Sequence, residues 1–224
     1  MRSPKVRSGW RSRLKNAMRA PSASLNTGRY LNELLADLDS SAHVLDLGSG
    51  THRLRAEVVN LEIGPFPNVD VIGDGARLPL TDNSFDAVIC QAVLEHVEVP
   101  EAIIAEVWRV LKPYGYVYVE VPFMQGYHAD PGDYRRFTIT GLMALLGRFH
   151  CLHSGTCVGP SSSLAWLLRD WISLFFAVGR ARVLVRHVSG WLTFWIKYFD
   201  LYLRFNPESH VIASGLFFLG EKRL

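Results

Sequence analysis

The chain has few cysteines, no long apolar run and no acid near its start. Three cysteines in 224 residues, at positions 90, 151 and 157, are too few and odd in number for a disulfide framework. That scarcity points to a reducing, cytoplasmic setting. Cys90 falls in an apolar stretch and reads as core rather than nucleophile. No two cysteines or histidines stand at structural-zinc spacing, so no metal is expected. No uninterrupted apolar stretch of about twenty residues exists, which excludes a conventional membrane span. The first thirty residues lack an apolar segment, so they do not read as a secretory signal.

Those thirty residues also lack acid, and hold eight of the 24 Arg and Lys. Residues 31–163 are the reverse, with eight basic and seventeen acidic side chains. Residues 164–206 return to six basic and two acidic. The net charge of +3 therefore hides an acidic middle between basic ends. An acidic middle disfavours nucleic acid as a partner, and the basic ends are where an anionic surface would bind. Residues 1–28 read as a basic arm, with a short helix near Trp10 to Ala20 and either a solvated or a lipid-headgroup-contacting role.

The organising stretch is Val44 to Gly50, VLDLGSG: a short buried strand running into a glycine turn. Glycines at 48 and 50 let backbone approach a ligand, because no Cβ intervenes. Asp46, between two leucines, faces away from them. Strands are expected at His43–Leu47, Glu57–Glu62, Val69–Ile72, Phe85–Cys90, Tyr116–Val121, Phe149–Val158 and His210–Gly220. Helices are expected at Arg29–Leu38, Pro100–Leu111 and Ile139–Leu146, each with apolar residues at helical spacing or a start signal. Only about six residues separate Gly50 from the second strand, where a crossover helix needs a dozen or more. A short turn must take its place.

In order along the chain stand the glycine turn, Glu62, Gly73-Asp74, Leu78-Pro79, Ser84-Phe85-Asp86, Leu94-Glu95-His96-Val97 and Arg109-Val110-Leu111-Lys112-Pro113. This series resembles the class I S-adenosylmethionine-dependent methyltransferases with a plain core domain, over roughly Ala42 to Gly147. The resemblance implies a Rossmann-like α/β fold: seven strands, mostly parallel, the last antiparallel, with a helical insertion before it. The implied domains are 29–158 with 208–224 for the methyltransferase and 159–207 for the insertion. The implied cofactor is S-adenosyl-L-methionine, held by Asp46, Gly48, Gly50, Glu62, Asp74, Gly75, Leu78 and Gln91. Glu62 would accept from the ribose hydroxyls, Asp74 from the adenine amino group, and Leu78 would close the adenine pocket. The family's usual third glycine is replaced by His52.

A second stretch, Pro122 to Thr138, is dense in titratable residues. It resembles the His-x-x-Pro-x-Asp-aromatic-x-Arg-aromatic-Thr loop of a methyltransferase subgroup linked to cell-envelope glycans and lipid-linked sugars. The match falls on His128, Pro131, Asp133, Tyr134, Arg136, Phe137 and Thr138. His128 suits a general base. Asp133 would orient it or pair with Arg136, and Tyr134 would stack on substrate. Thr138 suits a helix cap. Glu95-His96 reads either as a second base or as a junction shaping the pocket.

The insertion holds four of the six tryptophans, with arginines interleaved. Two helices are expected, at 162–178 and 183–204. They suit a membrane interface, or else a helical cap or dimer contact. The expected function is methylation of a hydroxyl (or a carboxyl) on a lipid-linked or hydrophobic acceptor, by a cytoplasmic enzyme peripheral to a membrane. The alternatives are a soluble small-molecule methyltransferase with a helical lid, and a non-catalytic cofactor-binding scaffold. The acceptor and the oligomeric state are not set by the sequence.

Overall fold

The structure, a computed structural model, describes residues 28–129 and 131–223. The expected basic arm lies outside them, apart from Gly28. Helix α1 (Arg29–Asp37) precedes strands β1 (Val44–Leu47), β2 (Val59–Glu62), β3 (Val71–Ile72) and β4 (Phe85–Gln91). Then come α2 (Pro100–Val110), β5 (Leu111–Pro122), α3 (Ile139–Leu145) and β6 (His150–Val158). The insertion supplies α4 (Pro160–Leu174), α5 (Arg180–Thr193) and α6 (Asp200–Leu203), and β7 (Gly215–Glu221) closes the chain.

The strands form one sheet in the order β3-β2-β1-β4-β5-β7-β6. β1 to β5 are parallel, and β7 runs antiparallel to both β5 and β6. Alternate side chains of each strand go to opposite faces, and both faces are covered. Leu45, Leu47, Val88, Cys90, Val117 and Val119 join Ile103, Val107 and Val110 of α2 and Leu142 of α3 in one cluster. Val44, Ala87, Ile89, Tyr118 and Phe217 join Leu31, Leu34 and Leu35 of α1 in the other. Asp46 therefore lies on the α1 side of the sheet, away from its flanking leucines.

Three elements differ from expectation. Lys112 to Gly115 does not end a helix before a separate strand. Leu111 already pairs with Phe85, and an irregularity lets the strand continue to Tyr116, which pairs with Ala87. Tyr114 takes a left-handed φ of 64° there. The last strand begins at Gly215 rather than His210, because Pro207–Ile212 form a 3-10 turn. The second insertion helix stops at Thr193 and gives way to a 3-10 segment, Phe194–Phe199, before α6. The first crossover, as expected, has no helix among residues 48–58.

The insertion is tied down at one buried carboxylate. Asp200 accepts from the Ser161 and Ser162 backbone N–H groups at 2.8 and 2.9 Å and from the Ser162 hydroxyl at 2.7 Å. It caps the start of α4, where orphan amide donors need acceptors. Gly159 permits this approach, since a Cβ there would lie 2.3 Å from the Asp200 carboxyl carbon. The Ser163 hydroxyl donates to the Met124 carbonyl at 2.7 Å, which seats α4 against the loop after β5.

Candidate active site

A cavity of about 580 Å³ opens at the carboxyl ends of β1, β2 and β4. Ligands in open α/β sheets bind at this edge. Its floor is the glycine turn. Gly48 and Gly50 have φ of 75° and 57°, in the left-handed region that disfavours a side chain. A Cβ on Gly48 would lie 2.2 Å from the Val93 Cγ2, so glycine is required for packing as well. A Cβ on Gly50 would meet nothing within 4 Å, which leaves backbone bare to the cavity.

Glu62 ends β2 and faces this turn. Its Oε1 accepts the Gly50 N–H and its Oε2 the Ile63 N–H, both at 2.9 Å. One carboxylate thus fixes the turn and keeps further lone pairs for a ligand. Asp74 accepts the Ala76 N–H at 2.9 Å, a turn that holds its carboxylate at the cavity rim. Asp46 is 5% exposed, and burial together with the nearby Glu62 charge pushes its carboxyl up to about 6. Ser49 Oγ is buried with no hydrogen-bond partner among the described residues, at the wall of the same cavity. A donor in that position awaits a ligand acceptor.

Seven of the eight residues expected to hold the cofactor line this cavity: Asp46, Gly48, Gly50, Glu62, Asp74, Gly75 and Gln91. Leu78 does not. It is 4% exposed and packs in the core, with its N–H donated to Glu106 at 2.7 Å. Ser49, Val93 and Val97 are among the lining residues not expected from the sequence. Their signal was faint, a serine inside the glycine turn and two valines flanking Leu94-Glu95-His96.

The loop after β5 folds back over the 3-10 turn Leu94–His96. The Tyr134 N–H donates to the Glu95 carbonyl at 2.7 Å, and the His96 Nδ1 meets the Gly132 carbonyl at 2.5 Å. Asp133 and Arg136 form an ion pair, Oδ2 to Nη2 at 2.6 Å. That pair holds the Asp133 carboxyl down at about 2. The same carboxylate accepts the His128 backbone N–H at 2.8 Å. Asp133 and Arg136 therefore shape the loop that presents His128, and the carboxylate grips its backbone rather than its ring. Tyr134 is 54% exposed and stands over Gly132, outside the cavity lining. Thr138 caps α3, accepting the Gly141 N–H at 3.1 Å.

The result is a cluster that no single motif announces. Glu95 has no exposed surface, and neither carboxylate oxygen has a hydrogen-bond partner among the described residues. Burial drives its carboxyl pKa up. His96 Nε2 and His128 Nε2 each lie 3.8 Å from Glu95 Oε1, and the rings meet edge to face at 5.3 Å. His96 also lines the cavity.

Residues 24–119 match the family model described as a methyltransferase domain. Over 157 residues the chain is 31% identical to the demethylmenaquinone methyltransferase of Renibacterium salmoninarum, covering 68% of this chain and 66% of that protein. Over 92 residues it is 33% identical to the ubiquinone biosynthesis O-methyltransferase of Cupriavidus pinatubonensis, covering 41% of this chain and 36% of that one. The chain thus spans just under two thirds of the first relative and about a third of the second. Among solved structures, the fold is shared with a Burkholderia thailandensis 1,6-didemethyltoxoflavin-N1-methyltransferase bound to S-adenosylhomocysteine. There the TM-score is 0.53 at 15% identity, over 100% of this chain and 94% of that one. It is shared too with the [4+2]-cyclase SpnF, with TM-score 0.56 at 20% identity over 91% of this chain and 85% of that one. The fold by itself therefore does not name a reaction. The bare glycine turn, the double-anchored Glu62, the unpartnered Ser49 hydroxyl and the size of the cavity all fit S-adenosylmethionine, and with the family match they mark residues 24–119 as a class I S-adenosylmethionine-dependent methyltransferase domain.

Proposed function

We propose that the protein transfers a methyl group to a hydroxyl of a hydrophobic or lipid-linked acceptor at a membrane surface. The observation that carries this reading is the cluster of Glu95, His96 and His128, which borders the cofactor cavity through His96. S-adenosylmethionine, when bound, supplies a methyl group already activated on a sulfonium. Asp46, Glu62 and Asp74 would hold it, with Asp46 toward its amino end, Glu62 at the ribose and Asp74 at the adenine. What remains for the protein is to align the acceptor oxygen, exclude water and take up the hydroxyl proton. Two imidazoles and a carboxylate at one point can do the last.

The nature of the acceptor is read from the insertion. Trp171, Phe175, Trp191, Trp195 and Phe199 are each 45% to 71% exposed, and Arg180 and Arg186, between them in the sequence, are exposed as well. Aromatic and basic residues together suit a lipid interface. No helix among the described residues is long and apolar enough to cross a membrane. The insertion adjoins the active-site loop through Ser163 and Met124, so an acceptor held in the interface would reach the cavity without leaving it. The relatives named for demethylmenaquinone and ubiquinone biosynthesis point the same way, toward hydrophobic ring acceptors.

The test uses methyl-labelled S-adenosylmethionine with a detergent extract of bacterial membranes. Label recovered as an ether in the organic phase supports the reading. Transfer only to water-soluble acceptors, with no flotation on anionic vesicles, would overturn the membrane part and favour a soluble enzyme with a helical lid.

A further inference from the structure

We propose that Glu95, His96 and His128 bind a divalent transition-metal ion beside the cofactor cavity. One ligand atom from each residue lies within 4.8 Å of the other two. The two elements that bring them together are separated by more than thirty residues of chain. They meet because the loop after β5 is latched onto the Leu94–His96 turn through Glu95 and Gly132.

The hydrogen-bond pattern argues for a cation. His96 Nδ1 contacts the Gly132 carbonyl at 2.5 Å and His128 Nδ1 the Gly126 carbonyl at 3.0 Å. A carbonyl only accepts, so each Nδ1 carries the proton. Arg136 also lies 3.3 Å from His128 Nδ1, but its Nη2 has better acceptors in Asp133 and the Gly126 carbonyl. Both Nε2 atoms are then lone-pair donors, and both face the Glu95 carboxylate at 3.8 Å. That distance is beyond a hydrogen bond. Three electron-pair donors converge at one point. One of them is a fully buried carboxylate that has no hydrogen-bond partner among the described residues. A proton added to one ring would serve one pair, whereas a metal ion serves all three.

The pattern around the ligands is also that of a metal site. Metal-binding histidines donate their other ring N–H to a carbonyl or carboxylate, which sets tautomer and orientation. Both histidines here do so. Two imidazoles and one carboxylate suit zinc or ferrous iron, with positions left open for substrate. With metal–ligand bonds of about 2.1 Å, tetrahedral donors stand about 3.4 Å apart. The side chains must therefore draw in by on the order of 1 Å or less at the closest pairs, and His128, at 37% side-chain exposure on a loop, has room to do so. The three residues come from distant stretches of sequence, so no short Cys or His spacing marks them.

The role of the ion rests on the methyltransferase reading, and with the ion bound both Nε2 atoms are ligands, so acidification of the hydroxyl by the ion replaces proton uptake by the imidazoles. An acceptor hydroxyl binding an open position loses its proton more readily, because the ion stabilises the alkoxide. The O–H bond breaks, the proton leaves to water, and the oxygen lone pair forms the new O–CH3 bond as the S–CH3 bond breaks. The products are the methyl ether and the neutral thioether.

The experiment titrates Co2+ into the chelator-treated full chain and follows the visible ligand-field bands. It is repeated with Glu95→Gln and His128→Ala, whose folding is checked by circular dichroism. We expect one Co2+ per chain, displaced by Zn2+, with affinity falling at least about tenfold in either variant. If Glu95→Gln fails to fold, His128→Ala on the surface loop decides alone. No saturable Co2+ band, or equal affinity in wild type and His128→Ala, would overturn the site. S-adenosylmethionine calorimetry on the same samples separates the two claims. Cofactor binding without metal binding overturns the metal site and spares the methyltransferase reading. Metal binding without cofactor binding supports the site and overturns that reading.

Discussion

With Asp46 at the amino end of the cofactor, as proposed, cofactor binding should depend on pH. The Asp46 carboxyl lies on β1 at the cavity floor, 5% exposed, and is pushed from 3.8 up to about 6 by burial and by the neighbouring Glu62. A raised acid favours the folded state when protonated and disfavours it when ionised. Without ligand, stability should therefore fall as pH rises from about 4 to about 6 and then level off. A shift of that size corresponds to about 3 kcal/mol. Cofactor binding should run the opposite way. An ammonium at this position prefers the ionised carboxylate, and the ionised fraction rises about tenfold between pH 5 and pH 7 for a group titrating near 6. Affinity for S-adenosylmethionine should rise by about the same factor over that range. Asp46→Asn should flatten both profiles, stabilise the ligand-free protein at pH 7 and bind the cofactor weakly throughout. The assays are urea unfolding and calorimetry at matched ionic strength. A wild-type slope that persists in Asp46→Asn would refute the assignment, and the titrating group would have to be sought elsewhere in the cavity.

Two further predictions concern the scaffold. Asp133 is held at about 2 by Arg136 and by the His128 N–H, so its stabilising contribution is full above about pH 4 and is lost as pH falls through 2. That contribution is about 2 kcal/mol, and an acid-unfolding curve identical in Asp133→Asn would contradict it. Asp200→Asn replaces a carboxylate that accepts three hydrogen bonds at the start of α4 with an amide that offers one oxygen. It should cost about 2–3 kcal/mol and raise hydrogen exchange at residues 161–163, while unchanged exchange there would show that the insertion is held some other way.

The sheet was legible because its evidence is local. VLDLGSG joins a run of apolar residues to two glycines, and α2 carries Ile103, Val107 and Val110 at helical spacing. Glu62 and Asp74 were legible by their places after strands. Other features depend on long-range contacts. Leu78 looked like pocket wall until the core claimed its side chain. The 3-10 break at Phe194 has no local signal in a continuous aromatic stretch, and the Asp200 contacts that follow it reach across the fold to α4. Tyr134 suggested a substrate platform, yet its backbone N–H is what the fold uses, to fasten the loop to Glu95. Glu95-His96 and His128 were each visible, but their convergence arises only from that fastening.

The cavity at β1, β2 and β4 should be a working S-adenosylmethionine site despite His52 in place of the third glycine and the missing crossover helix. Calorimetry of wild type, Glu62→Ala and Asp74→Ala with S-adenosylmethionine tests it most directly. Wild type should bind in the micromolar range and each variant at least about tenfold more weakly, with Glu62→Ala the worse because it also frees the Gly50 turn. Well-folded wild type that does not bind, or variants that bind as wild type does, would contradict it.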